Sequence, residues 1–196
     1  AIDSIKDAEV TEYDLALAPG ITNESLTALL INVVEDRGDA MALVDLKGDY
    51  EPSHESSDSE ATRRGSVTSV VNNLNQRGLN TSYAACYYPW VQMRDTEGGQ
   101  LLWVPPSIAA LGTLSSAQRT SELWFAPAGF TRGGLTEGSA GVPIVGVREK
   151  LTSKQRDKLY EANVNPIASF PAEGIVIFGQ KTLQVTRSAL DRINVR

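Results

Sequence analysis

The chain has 196 residues, of which 41% are hydrophobic and 21% are charged, and its formal net charge is −6. This length allows one domain with a sizeable core, which is the default expectation. The acidic balance argues against a nucleic-acid partner, because phosphate binding needs clustered Lys and Arg. The sequence has no run of about 18 apolar residues, so no membrane insertion is predicted.

The first half of the chain alternates between strand-like and helix-like patterns. Residues 13–18, 40–46 and 82–88 are apolar runs of the kind that form strands covered on both faces. Two sets of apolar residues recur at helical spacing between these runs, namely Leu26, Leu29, Leu30, Val33 and Val34, then Val67, Val70, Val71 and Leu74. We therefore expect an α/β fold, with a layered sheet of largely parallel strands flanked by helices.

Residues with capping chemistry mark the ends of these two helices. Thr22 or Asn23 can cap the first helix, and residues 56–60 offer caps for the second. Gly38 and Gly78 follow the apolar stripes and predict C-terminal stops, because glycine tolerates the left-handed conformation that ends many helices.

A β-hairpin is predicted in the middle of the chain. Apolar residues alternate over residues 91–94, residues 96–99 supply a reversal, and residues 101–104 return as a partner strand. Two prolines at 105 and 106 then end the pairing, since neither has an N–H.

Ser107 is predicted to cap the helix that follows the hairpin. We expect this helix to weaken at Gly112 and to resume over residues 115–123. Residues 130–146 are rich in glycine and predict an extended loop, with a short strand over residues 142–147 at its far end.

The last part of the chain predicts one more helix and a second hairpin. Thr152 can cap a polar helix that runs to about residue 161. Residues 167–170 and 175–178 are short strand patterns on either side of a turn, and a further helix is expected to begin after residue 186.

Three residues have the order of a serine-hydrolase triad of subtilisin-like topology: Asp45, His54 and Ser107. The surroundings of Ser107 argue against catalysis, because the two preceding prolines remove N–H donors that an oxyanion hole would need. His54 is the only histidine and lies in a polar link, residues 47–57, that is expected to be exposed. We predict no catalytic residue.

The other candidate sites are weaker. The glycine-rich stretch over residues 129–146 has neither the Walker spacing nor a dinucleotide fingerprint. Four aspartates are close in sequence but lack the calcium-loop spacing, namely Asp36, Asp39, Asp45 and Asp49. Cys86 has no disulfide partner and lies in an apolar run, which predicts a buried structural thiol. No cofactor-binding or metal-binding residue is predicted.

Ordered short motifs resemble the sheath protein family of contractile phage tails. Their sequences, in order, are APGITN at 18–23, RGDA at 37–40, YYPWV at 87–91, VPPS at 104–107, APAG at 126–129, VNPI at 164–167, KTL at 181–183 and RINVR at 192–196. The likeness covers nearly the whole chain. In that family the corresponding central domain is described as subtilisin-like but without protease activity, which agrees with the α/β pattern and with the unsuitable triad.

The resemblance implies a mechanical role. Sheath subunits polymerise around an inner tail tube, and the sheath contracts to drive that tube through the host cell envelope. The implied partners are other sheath subunits and the tube and baseplate proteins, with no nucleic acid and no cofactor. The implied location is the virion, with assembly in the host cytoplasm. The family includes phages and other contractile injectors, of which phage is favoured by resemblance.

The resemblance also implies a domain division. Residues 1–186 correspond to the sheath central α/β domain, and residues 187–196 to the start of a connection to an inner C-terminal domain. We therefore expect this chain to be a truncated, monomeric fragment. Two alternatives stay open from the residues alone: an α/β hydrolase-like enzyme and a nucleotide-binding α/β domain.

Overall fold

The computed structural model describes residues 2–136 and 143–195. In chain order its elements are β1 (Leu15–Leu17), α1 (Glu24–Arg37), β2 (Met41–Val44), α2 (Glu60–Arg63), α3 (Val67–Arg77), β3 (Ala84–Tyr88), β4 (Val91–Arg94), β5 (Leu101–Val104), α4 (Pro106–Thr120), α5 (Gly129–Arg132), β6 (Ile144–Val147), α6 (Ser153–Glu161), β7 (Asn165–Phe170) and β8 (Gly174–Ile177). Short 3-10 turns cover Ile2–Ile5, Ala189–Asp191 and Ile193–Val195.

A five-stranded sheet in the order β1-β2-β3-β7-β8 forms the centre of the molecule. The first four strands are parallel, and β8 pairs antiparallel with β7 through a tight hairpin. Both α1 and α3 connect successive parallel strands, as the alternating pattern predicts. The expected parallel-rich α/β sheet and the second hairpin are confirmed.

Caps fix the ends of three helices. The side chain of Asn23 accepts from the N–H groups of Ser25 and Leu26, each at 3.1 Å. Thr152 and Gln155 form a reciprocal capping box at the start of α6. Gly38 ends α1 at φ 75° and Gly78 ends α3 at φ 60°, so both predicted stops are confirmed.

The sheet has helices on one face and a mixed layer on the other. Helices α1, α3 and α6 cover the first face through a buried cluster that includes Leu30, Val70 and Leu159. The second face packs against α4 and against a smaller sheet in the order β5-β4-β6. Strand residues alternate between the two faces, which is why β2 and β3 are apolar at every position.

The predicted central hairpin is confirmed. Strands β4 and β5 pair antiparallel from Val91 opposite Val104 to Arg94 opposite Leu101. In the turn, the side chain of Asp95 accepts from the N–H groups of Glu97 and Gly98. Strand β6 pairs with the other side of β4, so the strand predicted at the far end of the glycine-rich stretch is also present.

The helix after the hairpin differs from the prediction. It is continuous from Pro106 to Thr120 and includes Gly112, so the expected interruption is wrong. Ser107 is not its cap, because Pro105 holds the N-cap position and Pro106 the first helical position. Proline suits that position, since its missing N–H would have no partner within the helix.

Other predicted details are corrected. Leu26 and Leu29 are exposed, and Thr27 and Ile31 face the core in their place. The cap of α3 is Ser66, whereas Ser59 caps the separate short helix α2. The expected loop over residues 130–146 begins within α5 (Gly129–Arg132), and its residues 137–142 lie outside the described ranges.

Candidate functional site

Two of the three candidate triad residues meet at the carboxyl edge of the parallel strands. Asp45 follows β2 and Ser107 lies in the first turn of α4; each is only 2% exposed. The Ser107 hydroxyl donates to Asp45 Oδ2 at 2.8 Å, and the Ser107 N–H donates to Oδ1 at 3.2 Å. The Gly20 N–H also donates to Oδ2, at 2.8 Å. Asp45 therefore ties the ends of β1 and β2 to the start of α4.

The histidine does not join this contact. His54 is 77% exposed at its side chain and lies 3.6 Å from the Glu55 carboxylate. Ser107, in contrast, is buried and bonded directly to a carboxylate, with no imidazole between the two. In a serine hydrolase the base takes the hydroxyl proton and the aspartate orients the base. The present arrangement is that of a structural hydrogen bond.

Asp49 is a second buried carboxyl group at the same edge. It is 4% exposed, its Oδ1 accepts the Tyr50 N–H at 2.7 Å, and its Oδ2 has no hydrogen-bond partner. Burial raises the pKa of Asp49 well above its usual range, and the negative charges of Asp45 and Glu149 raise it further. The expectation that the whole link over residues 47–57 is exposed is therefore wrong at Asp49.

Neighbouring polar and aromatic groups form a second set of contacts at this edge. The Tyr88 hydroxyl donates to Glu149, whose other oxygen accepts from Gln155 at 2.8 Å. The Arg148 guanidinium lies over the Tyr50 ring at 4.5 Å and over the Trp103 ring at 5.5 Å. These contacts join β3, the small sheet and α6 at this edge, where Asp49 Oδ2 and Arg148 Nε are buried without a hydrogen-bond partner.

The remaining sequence candidates are dispersed. Asp36 pairs with Lys6 at 3.2 Å and Asp39 with Arg37 at 2.8 Å. Asp39 precedes β2 and Asp45 follows it, so these two lie at opposite edges of the sheet. Within the described ranges, no group of three His, Cys, Asp or Glu residues converges to hold a metal ion.

Cys86 is buried, as predicted. It is 0% exposed in the centre of β3, and its thiol faces the Asn163 carbonyl oxygen at 3.6 Å. Burial raises the pKa of this thiol, which keeps it in the less reactive protonated form.

An open groove lies at the opposite, amino edge of the sheet. It has a volume of about 570 Å³ and is bounded by the starts of β1 and β2, the end of α4 and the last 3-10 turn. Leu123 and Trp124 stand at its rim, 72% and 65% exposed. The sequence pattern predicted that the helix continues to residue 123, whereas α4 ends at Thr120. The apolar run that follows Thr120 is the sequence signal that was missed.

Comparisons with known proteins identify relatives of the chain. No protein-family model matches it. The tail sheath protein of Vibrio phage KVP40 is 35% identical over 127 residues, which is 65% of this chain and 18% of that protein. The tail sheath protein of Enterobacteria phage T4 is 30% identical over 135 residues, which is 69% of this chain and 19% of that protein. The matched segment is thus about a fifth of each relative.

Solved structures agree with these relatives. The sheath complex of an extracellular contractile injection system in the contracted state has a TM-score of 0.63 at 19% identity, covering 100% of this chain and 47% of that chain. The contracted helical sheath of the anti-feeding prophage has a TM-score of 0.61 at 21% identity, covering 99% and 44%. The chain therefore shares its fold with part of each of these two sheath structures.

Sequence and fold together make the assignment. The chain is similar in sequence to a segment of two phage tail sheath proteins, and similar in fold to contracted sheath structures. Among the described residues, no helix combines the length and the apolar character needed to cross a bilayer.

Proposed function

We propose that this chain is the α/β domain of a contractile-sheath subunit, which assembles with copies of itself around an inner tube and moves when the sheath shortens. The observation that carries the proposal is the match at 30–35% identity to two phage tail sheath proteins. The likeness to a helical sheath in its contracted state supports it. Rigid-body movement of packed subunits is an established form of structural transition.

The proposed domain has subtilisin-like topology but no enzymatic role. The direct bond between Ser107 and Asp45 supports the second part, because both groups are already satisfied and buried. The order of four parallel strands, with helices on one face and α4 on the other, supports the first.

We further propose the wider setting of the subunit. The tube and the baseplate are its other partners, the virion tail is its location, and assembly takes place in the host cytoplasm. Residues 1–186 form the α/β domain and residues 187–196 lead to an inner domain that faces the tube. The likeness to a chain of the anti-feeding prophage baseplate structure, at a TM-score of 0.61, supports the baseplate as a neighbour.

Electron microscopy of the full-length sheath protein, beside this 196-residue chain, tests the proposal. We expect striated tubes from the full-length protein and single particles from the chain at micromolar concentration. Dispersed particles from the full-length protein at all salt and protein concentrations would overturn the proposal. The two alternatives have their own measurements. A hydrolase-like enzyme would show esterase activity that Ser107→Ala abolishes. A nucleotide-binding domain would be stabilised against heat by nucleotides, since a ligand that prefers the folded state must raise its stability.

A further inference from the structure

The groove at the amino edge of the sheet has an apolar floor. Leu15, Met41, Leu114 and Ile193 line it, with Trp124 at the rim. It opens beside β1, the outer strand of the five-stranded sheet. Its volume of about 570 Å³ is enough for several side chains of an incoming segment.

The polar groups of the groove favour a cation and a hydrogen-bond donor. Three carboxylates line it, and Asp39 is held by Arg37 at 2.8 Å. Asp14 and Glu122 are exposed and form no ion pair with any described residue. Asn194 donates to the Trp124 carbonyl oxygen at 2.9 Å, whereas its own Oδ1 is buried without a partner. An occupant with apolar side chains and one basic group would satisfy all of these.

One exposed loop of this chain has that chemistry. All residues from 185 to 190 are exposed, with Val185 at 66% and Leu190 at 41% on either side of Arg187. Arg187 makes no ion pair within the described part of the chain. The Val185 N–H donates to Asn80 Oδ1 at 2.9 Å, which holds the loop near the start of β3. The loop and the groove therefore lie at the same edge of the sheet, at different strands.

We propose that the 185–190 loop of one copy docks in the groove of the next, with Arg187 between Asp14 and Glu122 and with Val185 and Leu190 on the apolar floor. Two different surfaces meet in such a contact, so it is heterologous and repeats into a ring or a helix. This inference rests on the proposed sheath function and names one contact between its subunits.

The test measures self-association of the whole 196-residue chain. Amide NMR shifts are recorded while the protein concentration rises from about 0.05 to about 1 mM, the range of a weak contact. We expect concentration-dependent shifts at Leu123–Phe125 and at residues 185–190. Arg187→Glu should weaken association about tenfold, because attraction to the two carboxylates becomes repulsion. Lys154→Glu is the matched control, since it makes the same charge change at an exposed site on α6.

Exchanging the charges of the groove and the loop gives the decisive experiment. The double variant Asp14→Lys/Glu122→Lys should also lose self-association, but a mixture of it with Arg187→Glu should associate at least as well as the unaltered chain. No shifts up to about 1 mM, shifts confined to other surfaces, or no recovery in the mixture would each overturn the contact. If the full-length protein still forms striated tubes in that case, the sheath function stands and only this contact is wrong.

Discussion

The two edges of the five-stranded sheet differ in what they leave open. At the carboxyl edge, Asp45, Asp49 and Ser107 are buried and bonded within the chain. At the amino edge a groove remains, with Leu123 and Trp124 exposed at its rim. Open α/β sheets of enzymes bind ligands at the carboxyl ends of their strands. Here Ser107 and Asp45 at that end bond directly to each other, which supports the structural role proposed above.

The largest loss of stability is expected from removing the Asp45 carboxylate at the carboxyl edge. Asp45→Ala leaves the Gly20 N–H and both donors of Ser107 without their acceptor. We expect the free energy of unfolding in urea to fall by about 3 kcal/mol, since buried donors that lose a charged partner are costly. Asp45→Asn keeps one carbonyl oxygen and should lose less; equal losses from both variants would contradict the role given to this carboxylate.

Two left-handed glycines allow the packing at the two edges to be compared directly. A Cβ on Gly65 would lie 2.6 Å from the backbone of Asp49, whereas one on Gly78 would meet nothing within 4 Å. We expect Gly65→Ala to cost about 3 kcal/mol in unfolding free energy, as overpacking adds to backbone strain. Gly78→Ala should cost about 1 kcal/mol, from strain alone. Similar values for both would show that the carboxyl edge is less tightly packed than described.

The pH dependence of stability should report on Asp49. Because burial raises its folded-state pKa, the folded protein retains a proton that the unfolded chain releases above roughly pH 4. The stability of the chain should therefore fall as the pH rises from there toward the folded-state pKa. Asp49→Asn cannot ionise, so the unfolding free energy of the unaltered chain should fall relative to that of the variant as the pH rises from about 5 to about 8. Asp45 acts in the same direction and is unchanged in both proteins. Parallel pH profiles would contradict the prediction.

The smallest effect is expected at the open edge. Leu123 is 72% exposed, so Leu123→Ala should change the unfolding free energy by no more than about 0.5 kcal/mol. Leu43 in β2 is 1% exposed, and its replacement by Ala should cost about 3 kcal/mol. A large loss at Leu123 would mean that the groove rim belongs to the folding core.

The alternation of strand-like and helix-like patterns was sufficient to predict the parallel sheet. Strands covered on both faces are apolar at every position, as β2 and β3 are, and this composition is visible without a structure. Caps such as Asn23 and Gly38 act within a few residues, so they too could be predicted. The prediction of a break at Gly112 was wrong. Glycine lowers helix propensity, but it does not prevent a helix whose residues before and after the glycine are packed.

The candidate site depends on contacts across long separations in the chain. Asp45 and Ser107 are 62 positions apart, and only the crossover topology brings them to one edge. The burial of Asp49 depends on Gly65 passing close to its backbone, which no local pattern encodes. The groove was missed for a similar reason, since its walls come from β1, β2, the end of α4 and the last turn.

The burial of Cys86 has a practical consequence. Its thiol is the only one in the chain, is 0% exposed and is held protonated by its surroundings. A maleimide or disulfide reagent should therefore leave the native chain unmodified while the chain is folded. Cysteines introduced at Leu123 and at Arg187 would then be the sole reactive groups, and a covalent cross-link between subunits could be assigned to those two positions without altering the native residue.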